Sequence, residues 1–281
     1  MSSGGPGRPG PLRVAAAQGV SVPGDIPANV ATAVSLILAA AEGGARLVVL
    51  PELFLTGYDV AVWTPEGCLV PDDPALDPLR AAAREHAVTV VVGAAVARGV
   101  VDGAGRHTLS VIVFGADGSV AAPYDKQHLF SDERGFFDAG DHGASILLDG
   151  WELGLGICYD GCFPEHAAAA AGSGATAYLC PAAYVVGSEH RRDLYYAARA
   201  LDNGIYVVFA GLAGRCGSGE FSGGSAVYDP EGTVLDRVGA EAPAVAFADL
   251  DPDEVSRVQD RHPLARDRLA GLGERQRLAL R

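Results

Sequence analysis

Between residues 12 and 260 the chain alternates short apolar runs with amphipathic stretches. Residues 12–18 alternate and then turn polar, which predicts a first strand. Residues 25–41 carry apolar side chains at helical spacing and stop near Gly43-Gly44, which predicts a long helix. Residues 45–50 are a short apolar run closed by Pro51, as in a buried strand, and Glu52 stands at its carboxyl end. Residues 53–73 read as loop, broken by Gly57, Pro65, Gly67 and Pro71. A helix over 77–86 and a strand over 88–97 follow. Strands at 106–114 and 120–124 flank Ala116-Asp117-Gly118-Ser119, a hairpin pattern, and Lys126 lies just past the second.

The second half repeats the alternation. Residues 144–148 and 151–157 flank Asp149-Gly150 as a second hairpin-like pair, and Cys158 ends its second strand. Helices are expected over 163–171 and 188–203, with strands at 176–180 and 205–210. Pro164 suits the first turn of its helix, where a missing N–H costs nothing. A glycine-rich loop over 211–219 precedes strands at 223–228, 234–238 and 244–248, then a helix at 251–260. No linker of distinctive composition divides the chain. The reading is one domain over 12–260, with two sheets covered by helices. A Gly/Pro/Ser-rich tail at 1–11 reads as flexible rather than as a signal peptide. Residues 261–281 form a basic, Leu-bearing arm.

Composition narrows the function classes. The 281 residues carry a formal charge of −14 and no basic patch, which argues against a nucleic-acid partner. No apolar stretch is long enough for a membrane span. Five cysteines, an odd number in a chain too long to need staples, fit a reducing compartment, and the cytoplasm is expected. Cys158 and Cys162 lack a second Cys/His pair at ligand spacing, so neither a metal nor another cofactor is expected. Of 21 basic residues only Lys126 is lysine. A compact ammonium where the chain otherwise uses guanidinium suggests a role arginine cannot fill, although codon drift leaves the same trace.

Glu52, Lys126 and Cys158 each follow an apolar strand, and strand ends are where α/β folds gather ligands. Cys158 lies between a strand and a helix, where backbone N–H groups and the helix dipole favour thiolate. A small buried apolar side chain would look the same. None of the seven histidines shows a Cys–His arrangement, although His128, close to Lys126, suits a pocket wall. Glu52 is therefore the candidate base, its pKa raised if dehydrated. Lys126 is the candidate charge for an oxyanion, with the Tyr159 N–H as a second donor. Glu133 is a candidate fourth polar group.

Four patches resemble the carbon–nitrogen hydrolase (nitrilase) superfamily. They are Val49-Leu50-Pro51-Glu52-Leu53-Phe54-Leu55-Thr56-Gly57-Tyr58, Tyr124-Asp125-Lys126-Gln127-His128-Leu129-Phe130 with Glu133 after it, Gly156-Ile157-Cys158-Tyr159-Asp160 followed by Phe163-Pro164-Glu165, and Arg199-Ala200-Leu201-Asp202-Asn203. The similarity spans about residues 12–250. It implies a four-layer αββα sandwich, a Glu52–Lys126–Cys158 triad aided by Glu133, a thioester acyl-enzyme and hydrolysis by water. It also implies a homodimer or higher homo-oligomer, with helices 163–171 and 188–203 at the interface, where the C-terminal arm is also expected to pack. Cys162 departs from the pattern, standing where many members carry Arg, and Asp202 stands where Glu is usual.

Tyr159-Asp160 after the cysteine matches the amidase and carbamoyl-hydrolase branches rather than the nitrile branch. The expected substrate is a small linear aliphatic amide, either plain or carrying a distal amino or guanidino group that Asp132, Asp160 or Glu189 would meet. N-carbamoyl amine hydrolysis, as on N-carbamoylputrescine or a ureido acid, is the alternative, and soluble acyl transfer a third reading. Substrate contacts are expected from Tyr58, Trp63, His128, Phe130, Tyr159, Asp160 and Tyr184.

Overall fold

A computed structural model describes residues 9–101, 104–269 and 271–280. Most of the tail expected over 1–11 therefore lies outside the described residues. The first half runs β1 (Leu12–Gln18), α1 (Ile26–Glu42), β2 (Leu47–Val49), α2 (Asp77–Glu85), β3 (Thr89–Val101), β4 (Ala104–Phe114) and β5 (Val120–Asp125). The second begins with β6 (Ser145–Leu148), β7 (Trp151–Leu155), α3 (Pro164–Gly172), β8 (Ala177–Ala182), α4 (Glu189–Asn203) and β9 (Tyr206–Gly211). It closes with β10 (Ala213–Cys216), β11 (Gly219–Ser222), β12 (Ala226–Tyr228), β13 (Val234–Arg237), β14 (Ala244–Leu250), α5 (Pro252–Arg261) and α6 (Leu264–Asp267).

Two six-stranded mixed sheets form, ordered β14-β1-β2-β3-β4-β5 and β13-β12-β9-β8-β7-β6. Side-chain alternation assigns the layers. In β1, Val14 and Ala16 join the core shared with the second sheet, while Ala15 and Ala17 face the core that includes Val30, Ala33 and Ile37 of α1. β2 splits the same way, with Leu47 and Val49 inward and Val48 toward the helices. β8 and β9 are central parallel strands buried on both faces, hence their unbroken apolar runs. The result is the expected αββα sandwich, with α1 and α2 outside one sheet and α3 and α4 outside the other.

Local chemistry sets the boundaries. Asp25 caps α1 by accepting from the Ala28 N–H at 3.1 Å, and Pro27 occupies its first turn. The expected loop over 53–73 holds two short 3-10 turns, at Val60–Val62 and Pro65–Gly67, and a third, Pro74–Leu76, follows it directly. The expected loop over 211–219 is instead part of a two-stranded ribbon, β10 with β11. Glycines there hid the pairing from a reading that treats them as breakers. In the C-terminal arm, α6 ends at Asp267, and Leu272, Leu278 and Leu280 are exposed.

Candidate active site

Two strand ends of the first sheet and a 3-10 turn deliver the charged cluster, and the end of β7 in the second sheet brings Cys158 to it. Glu52 sits in the turn after β2, fully buried. Its backbone crosses Gly93 of β3 so closely that a Cβ at 93 would lie 2.6 Å from the Glu52 Cα. Leu53 follows at φ +49°, a left-handed conformation that bends the chain away from the sheet. Lys126 follows β5, its N–H donating to the Leu109 carbonyl at 2.8 Å and its own carbonyl accepting from Gly140 at 2.9 Å. Glu133 lies in the 3-10 turn Ser131–Gly135.

Lys126 Nζ donates to Glu52 Oε1 at 2.6 Å and to both Glu133 oxygens at 2.8 Å. All three donors of the ammonium are used. Glu133 is held in turn by the Tyr58 hydroxyl at 2.6 Å and the Phe130 N–H at 2.7 Å. Glu52 Oε2 is buried with no hydrogen-bond partner among the described residues. The Cys158 thiol is nonetheless near enough to lower the Glu52 pKa.

Electrostatics follow from burial. Desolvation pushes Glu52 up to about 7, against the pull of Lys126 and with Glu133 adding to the rise. Burial alone would lower Lys126, but the Glu52 and Glu133 carboxylates outweigh it and hold the amine firmly protonated. Cys158 is pushed well above the ordinary thiol range, first by burial and then by Glu52. The expectation of a thiolate stabilised by a helix end is thus corrected. The segment Cys158–Cys162 is one short 3-10 turn, and the resting sulfur is a protonated thiol.

Cys158 adopts φ +44°, an uncommon conformation for a side-chain-bearing residue. It is held from behind. Tyr196 of α4 donates to the Cys158 carbonyl at 3.1 Å, and Arg199 Nη1 donates to the Gly161 carbonyl at 3.2 Å. Asp202, the departure noted in the fourth patch, pairs with Arg199 at 2.9 Å. Tyr196 was missed by sequence reasoning. Arg192, Tyr196, Arg199 and Asn203 do recur at helical spacing and are all buried. A polar stripe of that kind reads as solvent-facing unless something on the sheet needs its donors.

A cavity of about 220 Å³ opens at Cys158, lined by Tyr58, Phe130, Tyr159 and Tyr184 among the expected contacts, with Cys162 beside them. Three expected contacts lie elsewhere. Trp63 is buried against Tyr58 and Phe137. Asp160 spends its oxygens internally: Oδ1 accepts from the His128 N–H and meets His128 Nδ1, both at 2.8 Å, while Oδ2 accepts from the Tyr124 hydroxyl at 2.7 Å and the Ile157 N–H at 3.0 Å. Burial would raise its pKa, but the hydrogen bonds from His128 and Tyr124 hold it below the usual carboxylate range. His128, bound to Asp160, stacks on Phe163 at 3.9 Å. Asp160 and His128 thus brace the Cys158 turn instead of lining the cavity. Of the acids expected to meet a distal cation, Asp160 is sealed off, and neither Asp132 nor Glu189 lines the cavity. A larger hollow of about 600 Å³, beside His128 and His166, contains none of Glu52, Lys126 or Cys158.

Residues 13–260 match the carbon-nitrogen hydrolase family. The chain belongs to that family. It is a hydrolase of non-peptide carbon–nitrogen bonds, in the amidase branch, and works through a cysteine nucleophile. This hydrolase is 33% identical over 248 residues to the deaminated glutathione amidase of Escherichia coli, covering 85% of this chain and 91% of that protein. It is 31% identical over 228 residues to the 2-oxoglutaramate amidase of Bacillus subtilis, covering 79% and 85%. Among solved structures it resembles the amidase from Nesterenkonia sp. AN1. A variant showing Michael addition of acrylamide at its active site cysteine superposes with a TM-score of 0.77 at 30% identity, covering 90% of this chain and 97% of that one. Another variant, in complex with butyramide, gives 0.74 at 30% identity, covering 92% and 97%. Among the described residues no helix of this hydrolase is long and apolar enough to cross a membrane, and no cluster of His, Cys, Asp and Glu could hold a metal ion.

Proposed function

We propose that the enzyme hydrolyses a small linear aliphatic amide to its carboxylic acid and ammonia, through a thioester on Cys158. The observation that carries this reading is the split environment of Glu52. One oxygen is bound by Lys126, and the other is free beside a protonated thiol. A carboxyl poised at about 7 can both accept and return a proton near neutral pH.

In this reading Glu52 takes the Cys158 proton as sulfur attacks the amide carbon. The oxyanion takes one Lys126 N–H, released from the two-oxygen contact with Glu133, together with the Tyr159 N–H. As the C–N bond breaks, Glu52 returns the proton to the nitrogen and ammonia leaves. Water then attacks the thioester, giving a proton to Glu52. The C–S bond breaks, Cys158 recovers the proton, and the acid departs. Glu133 keeps Lys126 in place throughout, tied to Tyr58 and to the Phe130 backbone.

The small cavity, about 220 Å³, supports a short acyl chain, below the ~300–1,000 Å³ usual for larger ligands. The butyramide complex of the Nesterenkonia amidase supports the same size class. The test is ammonia release from linear amides, N-carbamoyl amines and nitriles, with Cys158→Ala run beside the wild type. Amide turnover lost in the variant, with an acyl adduct on Cys158 by mass spectrometry, is the expected result. Preference for N-carbamoyl amines, or turnover surviving the substitution, overturns the reading.

A further inference from the structure

Among the described residues, Arg191 is the one charged side chain lining the cavity at Cys158. It stands in the first turn of α4, beside Ser188 and Tyr195, and is exposed. The remaining lining is aromatic, aliphatic, thiol or hydroxyl, with no carboxylate. Glu52, Lys126 and Glu133 are sealed from solvent, and the ammonium is fully used by the two carboxylates. They give a distal substrate group nothing to bind.

Arg191 is also unclaimed. Arg192 and Arg199, on the same helix, pair with Asp193 and Asp202 at 2.8 and 2.9 Å. Among the described residues no ion pair or side-chain hydrogen bond engages Arg191, although Glu189 is two positions away. The Tyr195 hydroxyl beside it likewise has no partner among the described residues. A planar guanidinium with all its donors free, at the rim of an apolar cavity, matches a carboxylate in geometry and charge. The apolar walls strengthen such a pair by lowering the local dielectric. The molecule as a whole carries −14, so its overall field does not favour an anion, and any preference for one must come from this residue.

Resting on the amidase reading of this cavity, we infer that Arg191 selects amides bearing a carboxylate at the end away from the amide. The substrate class is then the monoamides of short dicarboxylic acids. The amide carbon sits at Cys158, the methylenes lie between Tyr184 and Phe130, and the carboxylate meets Arg191 at the rim. This reverses the charge expected from the sequence, where a distal cation was anticipated.

The test pairs succinic and glutaric monoamides with butyramide, pentanamide and the ω-amino amides of the same lengths. Binding is measured by calorimetry on Cys158→Ala, which reads recognition without turnover, and kcat/KM on the protein with Cys158 intact. Each is repeated with Arg191→Gln and Arg191→Glu. The expected result is tightest binding and highest kcat/KM for the monoamides. The carboxylate-to-neutral ratio should fall by about ten- to a hundredfold in Arg191→Gln, as a charged hydrogen bond predicts. Arg191→Glu should move the preference to the ω-amino amides. The ratio within one protein cancels any general damage from the substitution. An equal ratio in wild type and Arg191→Gln, or a wild-type preference for neutral or cationic amides, overturns the inference and leaves amide hydrolysis standing. If Cys158→Ala binds the monoamides through Arg191 while the wild type hydrolyses none of the panel, the amidase reading fails and the recognition by Arg191 holds.

Discussion

The Tyr196 hydroxyl meets the Cys158 carbonyl at 3.1 Å, so a helix behind the second sheet fixes the backbone of the Cys158 turn. That turn holds Cys158 at φ +44°, a conformation the local sequence does not favour. Tyr196→Phe removes one buried hydrogen bond and leaves the carbonyl unpaired, at a cost of about 1–3 kcal/mol. Denaturant unfolding should show a loss of this order, and kcat should fall while KM for butyramide stays nearly level. If the stability loss appears with kcat intact, the contact is structural only.

The raised pKa of Glu52 makes activity and stability move in opposite directions with pH. In the proposed reaction deprotonated Glu52 is the base, so kcat/KM should rise through about pH 7 and fade below it. For stability, the folded value of about 7 exceeds the ordinary carboxyl value of 4.5, so the folded state binds the proton more tightly. Glu52's contribution is fully present below about 4.5 and is lost as pH rises through about 7. A pH–rate profile on butyramide, with the acid limb near 7, is the expected result. An acid limb near 4.5 would mean that Glu52 is not perturbed as described.

Much of this architecture was legible in the chain. The strands before Glu52, Lys126 and Cys158 are short apolar runs with abrupt polar ends, and hydrophobic periodicity reports such features well. The single lysine marked its own position because every other cation is arginine. What stayed hidden depends on contacts between distant segments. Asp160 looked like a substrate ligand, but its partners, His128 and Tyr124, come from a loop and strand more than thirty residues earlier. Tyr196 and Arg199 lie on one polar face of α4, with nothing nearby in sequence to show that carbonyls of the Cys158 turn require them. Arg191 stood in an isolated basic pair, and only the cavity distinguishes it from Arg192, which turns inward to Ser222 and the Gly223 carbonyl.

Lys126 neutralises two buried carboxylates, so its removal should be felt as stability before chemistry. Lys126→Met leaves Glu52 and Glu133 buried without their cation, a change that costs about 3–5 kcal/mol for a broken buried pair. Part of that loss should return at low pH, where the carboxyls take up protons. Lys126→Arg should not rescue activity, because a broad guanidinium cannot replace a compact ammonium in a fully buried site. Unfolding midpoints at pH 5 and pH 8 test this. A loss of equal size at both values would show that the carboxylates do not depend on Lys126 for charge compensation.

Gly93 is a site residue by the absence of a side chain. A Cβ there would lie 2.6 Å from both the Glu52 Cα and the Leu53 nitrogen, and 2.7 Å from the Pro51 carbonyl oxygen. All three are backbone atoms, so no side chain can swing away to make room. Gly93→Ala must push the Glu52 turn off β3, and a shift of even a few tenths of an ångström moves the free Glu52 oxygen relative to the Cys158 sulfur. Misplacement of reacting groups on that scale lowers rates strongly, by up to about a hundredfold for a full ångström. Gly143→Ala, where a Cβ meets nothing within 4 Å, is the matched control. The expected outcome is a kcat loss of tenfold or more in Gly93→Ala and none in Gly143→Ala, with both proteins folded by circular dichroism. Unchanged turnover in Gly93→Ala would mean that the Glu52 turn can move without disturbing the base, and the tight geometry of the cluster would then not be what the reaction depends on.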